Sequence, residues 1–245
     1  MSTEQILKSI RKKYTDDAVF TFDDFPNQDI ETIPTGITGI DFCSGIGGIP
    51  RRRVTEIFGP ESSCKTTLAS MIVAEEQKNG GLCAYLDTEQ SIDFEYSKVL
   101  GVQPEKLIIS QPENAEQAFG IAEELINSNE VRLIIFDSLV SVGLAKESED
   151  ELGKANYGAT KLYYQWFRRN LSRIRDNNVA MVFTNQVRDV IGAYVPMVDT
   201  PGGHALKLAS SMRIQLSRVK DTKVDGEVTA TEFKALFKKN KLARP

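Results

Sequence analysis

Gly59-Pro60-Glu61-Ser62-Ser63-Cys64-Lys65-Thr66-Thr67 follows an apolar run, Val54 to Phe58, and precedes a helical pattern with Leu68, Met71, Ile72 and Ala74 on one side. Strand, small-residue loop, Lys-Thr and helix form the layout of a phosphate-binding loop. Successive backbone N–H groups point into such a loop, and the helix N-terminus adds its positive end, so a polyphosphate is held. Lys65 is the residue to reach the β- and γ-phosphates, and the Thr66 hydroxyl the one to ligate Mg²⁺. Where the motif asks for a second glycine, this chain has Cys64. The plainer alternative is a tight strand-to-helix turn with a polar cap. Spacing, strand and helix together favour phosphate.

Outward from this loop, apolar runs and helical patterns alternate. Leu82–Leu86 ends in Asp87-Thr88-Glu89, Lys106–Ser110 is a short strand, and Val131–Phe136 ends in Asp137-Ser138. Val179–Phe183 ends in Thr184-Asn185-Gln186. Between them lie helical patterns over Phe94–Leu100, over Ala115–Asn127, and over Lys161–Asp176 with Leu162, Trp166, Leu171 and Ile174 inward. The fold expected is α/β: a mostly parallel twisted sheet with helices on both faces. Ligands on such sheets bind at the carboxyl ends of the strands. Lys65, Asp87, Glu89, Asp137 and Gln186 all fall there.

Each of these residues has two readings. Asp137 alone is an ordinary strand-ending cap; beside a phosphate loop it reads as a magnesium carboxylate. Glu89 is the base that activates a water, with Asp87 bracing the loop, or both are acids of a solvated loop. Gln186 is a sensor of the γ-phosphate or an unremarkable amide. Tyr96 stacks on a base or is a half-buried helix tyrosine.

The ends of the chain read differently. Ser2 and Gln5 suit a capping box on a short helix with Ile6, Ile10 and Tyr14 on one face. Residues 1–32 form this helix and an acidic linker, in which 19–22 is a lone extended segment; residues 33–245 form the core. Arg51-Arg52-Arg53 reads as a solvated edge. Residues 212–216 and 229–237 alternate as edge strands, and 238–245 is a basic tail. No apolar stretch approaches a membrane span. Three unclustered cysteines in a 245-residue chain argue against a disulfide framework and for a reducing, cytoplasmic setting. A net charge of −4 argues against a generic polyanion binder, so nucleic acid would need a local basic surface.

The motifs resemble one family in order and spacing, the bacterial RecA recombinases. The resemblance runs from about Ile30 to Pro245. It rests on the Pro-Glu-Ser-Ser loop, on Leu86-Asp87-Thr88-Glu89, on Ile135–Ser138, on Phe183–Arg188, on Thr200–Lys207 and on Lys238–Lys241. It implies ATP and Mg²⁺ as cofactors, with Glu89 catalytic, aided by Lys65 and Gln186. Asp93 and Tyr96 would hold the adenine, and Lys239 and Lys241 would reach the ATP of an adjacent subunit. The first DNA loop would span roughly Glu147–Tyr157 and the second roughly Arg188–Gly203. Arg188, Tyr194, Gly202, Gly203 and Lys207 would meet DNA. The partners implied are single-stranded and then duplex DNA and further copies in a head-to-tail filament, with no membrane. The chain stops where the family continues into a C-terminal domain, so a short phage or paralogous form is expected. The function implied is an ATP-dependent recombinase, or alternatively a nucleotide-impaired DNA-binding, annealing or filament-modulating relative.

Overall fold

The structure is a computed structural model. It describes residues 2–15, 18–24, 30–139, 141, 143–144, 152–189 and 198–243, with side chains omitted at 152–157, 189 and 198. The chain divides into two compact units, Met1–Ile30 and Glu31–Pro245.

In the first unit, α1 (Thr3–Lys13) starts with the capping box. Ser2 Oγ accepts the Gln5 N–H and Gln5 Oε1 accepts the Ser2 N–H. No residue of α1 is buried. The Arg11 guanidinium donates to the Val19 carbonyl at 3.1–3.3 Å. Residues 19–22 form no strand: 19–21 are irregular and 22 begins a turn.

The second unit is built on a seven-stranded sheet. Its strands are β3 (Val54–Phe58), β4 (Leu82–Asp87), β5 (Leu107–Ser110), β6 (Val131–Asp137), β7 (Ala180–Asn185), β10 (Met212–Val224) and β11 (Glu227–Asn240), in the order β11-β10-β3-β7-β6-β4-β5. Every pairing is parallel except β10 with β11. Two-residue ladders add β1 (Thr32–Ile33) to β2 (Ile49–Pro50) and β8 (Arg188–Asp189) to β9 (Val198–Asp199).

The continuous apolar runs are explained by burial on both sheet faces. Ala84, Leu86, Ile134, Phe136, Met181 and Phe183 face one core, closed by α5 (Ala115–Asn127) and α6 (Leu152–Asp176). Their alternates Cys83, Tyr85, Leu133, Ile135 and Val182 face the other, closed by α2 (Thr38–Cys43) and α3 (Lys65–Lys78). Among the described residues the remaining α-helices are α4 (Phe94–Val99) and α7 (Ala205–Ala209).

Five expectations need correction. The strand at Met212 is no edge strand: it pairs with β3 on one side and β11 on the other. β11 continues through Lys239 and Asn240, where a basic tail was expected. The last long helix starts at Leu152, within the span expected as the first DNA loop, and Leu171 is exposed. Its buried row is Tyr163, Trp166, Phe167, Asn170 and Ile174. Arg51 is not solvated: it forks onto the buried Glu76 with bonds of 2.9 and 2.5 Å, and Arg52 donates to Asn178.

Candidate nucleotide site

β3 ends at Phe58, and the chain turns through residues 59–64 into α3. Gly59 is required by close approach: a Cβ there would stand 2.2 Å from the Leu216 carbonyl oxygen. Ser63 is buried and donates its hydroxyl to the Pro60 carbonyl at 2.7 Å. Ser62 (φ 54°) and Cys64 (φ 65°) are left-handed without being glycine. Such backbone turns gather N–H groups into an anion-binding concavity. Cys64 is also the N-cap of α3, and it makes no side-chain capping bond. The first-turn N–H groups therefore remain available to an anion.

The loop lines a cleft of about 520 Å³ together with Glu89, Asp137 and Gln186. Three further strand ends thus converge on the loop that follows β3. The Lys65 ammonium folds back onto the loop, donating to the Gly59 and Pro60 carbonyls at 3.2 and 2.7 Å. Burial lowers its pKa, against the opposing pull of the Asp137, Glu89 and Glu61 carboxylates. Asp137 is buried and accepts hydroxyl hydrogen bonds from Thr66 (2.8 Å) and Tyr85 (2.6 Å) on Oδ2 and from Thr184 on Oδ1. Burial and the adjacent Asp137 push the Tyr85 phenol up, so it remains a donor. Two hard oxygen donors, from Thr66 and Asp137, suit a cation that keeps several waters and takes its remaining ligands from phosphates.

Glu89 is held by three donors. Ser138 (2.5 Å), Ser141 (2.8 Å) and Gln186 (3.5 Å) all donate to its Oε1. Among the described residues no bond falls on Oε2, which leaves that oxygen to take a proton from a water. Asp87 accepts from the Ser91 and Ile92 N–H groups and from the Gln111 amide, which is a brace for the loop after β4.

Other expected site residues stand apart from this cleft. Asp93 caps α4 by accepting the Tyr96 N–H at 2.9 Å, and Tyr96 is half exposed. Lys239 donates to the Lys207 and Leu208 carbonyls at the end of α7, and Lys241 follows β11. None of these four residues lines the cleft of its own chain. Arg188 lies at the start of the two-residue ladder, exposed, and Lys207 pairs with Asp199. Gly202 (φ +89°) and Gly203 (φ +72°) have a backbone reason to be glycine, and a Cβ on Gly203 would also meet Thr160 at 2.9 Å. Tyr194 and residues 147–151 lie outside the described residues.

The hydroxyls of Tyr85, Ser138, Ser141 and Thr184 were not singled out by sequence reasoning. Tyr85 and Thr184 sit in buried strands, where an apolar pattern gives no sign of a polar task. Cys64 lies at the start of α3 beside Lys65, yet its thiol is not drawn toward the thiolate. Burial raises its thiol pKa and outweighs the Thr67 hydrogen bond and the Arg218 and Lys65 charges.

A parallel sheet with a phosphate loop after one strand and carboxylates after two others defines a P-loop nucleotide-binding core. The family model described as the RecA N-terminal domain matches residues 2–245. Protein RecA of Aquifex aeolicus (strain VF5) is 43% identical over 244 residues, covering 99% of this chain and 71% of that protein. Protein RecA of Thermus aquaticus is 42% identical over 247 residues, 100% of this chain and 73% of that protein. Protein RecA of Rickettsia prowazekii (strain Madrid E) is 42% identical, covering 98% of this chain and 71% of that protein. The chain belongs to the RecA family.

Proposed function

We propose that this RecA-family chain, a recombinase and DNA-dependent ATPase by family, works as an ATP-driven filament on single-stranded DNA that then pairs with duplex DNA. The observation that carries the reading is the convergence of loop residues 61–67, Glu89, Asp137 and Gln186 on one cleft. Backbone N–H groups of the loop would hold the phosphates, with Lys65 released from its two carbonyls to reach the terminal ones. Thr66, with Asp137 beside it, would hold Mg²⁺, which when bound neutralises charge on the phosphates. Glu89 would orient and deprotonate the attacking water through Oε2, while Ser138, Ser141 and Gln186 fix its other oxygen. Asp93 and Tyr96 would meet the adenine, and Lys239 and Lys241 the nucleotide of a neighbour. Arg188, Tyr194, Gly202, Gly203 and Lys207 would serve DNA.

Assembly has its own support. α1 buries nothing and exposes Ile6, and β5 is a sheet edge with Ile108 and Ile109 exposed. An apolar cleft of about 650 Å³ lies beside that edge, between Leu82, Ile108, Ile121, Leu125 and Val131. Seating α1 of one copy in this cleft of the next is a heterologous contact, which propagates as an open polymer. Among the described residues no helix is long and apolar enough to cross a membrane.

Cys64 supports a second reading, a nucleotide-impaired member that binds DNA with little turnover. Its Cβ occupies a left-handed position in the cradle. ATP hydrolysis measured with and without single-stranded DNA separates the two. Turnover stimulated by DNA supports the first reading. DNA binding without turnover, restored by Cys64→Gly, supports the second.

A further inference from the structure

Behind the phosphate cradle lies a buried polar cluster that the proposed chemistry does not use. Glu56, on β3 and fully buried, stands three residues before Gly59. Arg213 of β10 is its register partner and its ion-pair partner. The same guanidinium lies 4.6 Å from the centre of the Phe58 ring and donates to Thr200 Oγ at 3.2 Å. Asn185, the last residue of β7 and fully buried, closes the cluster. Its Nδ2 donates both to Glu56 Oε1 (3.0 Å) and to the Pro201 carbonyl (3.2 Å). Its own carbonyl accepts the Gly59 N–H at 3.2 Å. Its Oδ1 is buried and, among the described residues, has no hydrogen-bond partner.

One side chain and its backbone thus touch the first residue of the cradle, an ion pair whose carboxylate is fully buried and the segment that follows β9. The next residue, Gln186, touches Glu89. A buried ion pair tolerates little displacement, because low dielectric makes its geometry expensive to disturb. The orphaned Oδ1 marks this arrangement as incompletely satisfied, so a neighbouring arrangement that supplies a donor is favoured by that bond. Coupling between sites needs an element with two arrangements that both sites bias.

We propose that Asn185, held by the Glu56–Arg213 pair, is a positioning residue that couples occupancy of the phosphate cradle to the placement of Thr200 and Pro201. The inference rests on the nucleotide and DNA reading above. The route runs behind the sheet end and not across the cleft, where Gln186 meets Glu89.

The test uses the full chain. Binding of a non-hydrolysable ATP analogue with magnesium is measured with and without a saturating thymidine oligonucleotide, and oligonucleotide binding with and without the analogue. The ratio is the coupling factor, and linkage makes it equal from both sides. In Asn185→Ala we expect each ligand alone to bind within about twofold of wild type, while the coupling factor collapses toward one from the roughly 5–150-fold range usual for coupled sites. A purely structural residue would weaken both ligands and leave their ratio intact. Arg213→Lys, which keeps the charge but loses the reach to Thr200, should lower the factor too. It decides the matter if Asn185→Ala does not fold. If the wild type binds both probes and the folded variants keep its coupling factor, the inference is overturned. If the wild type binds neither probe, the functional reading falls and this inference with it.

Discussion

Cys64 carries a local backbone cost in the site, as Ser62 does. A side chain at φ 65°, ψ 27° meets the Cβ clash that makes left-handed backbone cost about 1–2 kcal/mol for an L-residue. Glycine removes that clash and lets backbone and phosphate approach. Relief of the strain stabilises the fold, and the closer approach of backbone to phosphate should raise nucleotide affinity in Cys64→Gly by up to roughly tenfold, the equivalent of 1.4 kcal/mol. Isothermal titration with ATP and Mg²⁺ measures this, and equal affinity in both proteins would retire the claim. The thiol itself gives a pH test. Burial raises its pKa, so in the folded chain the proton is held to higher pH than in the unfolded one. Alkylation needs the thiolate. Peptide mass spectrometry should find Cys64 labelled more slowly by iodoacetamide in the folded than in the urea-unfolded protein at pH 8. The gap should narrow as pH rises through the raised pKa. Equal rates at pH 8 would contradict the burial argument.

At the scale of elements, one aromatic cluster seats two helices on the sheet. Phe119 of α5 lies 4.9–5.5 Å from the rings of Phe136, Tyr163 and Trp166, and its carbonyl accepts the Trp166 indole N–H at 3.0 Å. Phe119→Ala should cost about 3–5 kcal/mol, read as a lower urea midpoint with an unchanged slope. A midpoint within error of wild type would show that α5 is seated some other way. This core was only partly legible. Strands β3, β4, β6 and β7 declare themselves because both their faces are buried, and α5 because Ala118 and Ala122 repeat at helical spacing. α6 misled because Leu171 looks apolar, while the buried row contains a polar member, Asn170, whose Nδ2 bonds the Trp166 carbonyl. β10 looked like an edge because only its first half alternates buried and part-buried. Arg51 looked solvated because its partner, Glu76, lies 25 residues away on α3. The loop, Glu89, Asp137 and Gln186 were legible from strand ends; the hydroxyls that hold them were not, since only the sheet's register brings Thr184 and Tyr85 to Asp137.

For the whole molecule, the division into units has a direct consequence. α1 contributes no buried residue, and Glu31–Pro245 is compact by itself. Removing residues before Glu31 should abolish DNA-dependent assembly in light scattering. The thermal midpoint should move by no more than about 2–4 °C, the equivalent of roughly 1 kcal/mol in a domain of this size. Unchanged assembly would remove α1 from the interface. The hairpin of β10 and β11 adds something of another kind. Only Met212–Gln215 have β3 beside them; from there to Val224 the strand has β11 alone, crossed by the Lys220–Glu232 pair, while Arg218 pairs with Asp221 along β10 itself. A two-stranded ribbon is marginal in water without a third layer. Its amides should therefore act as a graded clock. Deuterium enters first at the Asp225–Gly226 turn, advances inward rung by rung, and slows abruptly at Gln215, where opening the ribbon requires opening the sheet itself.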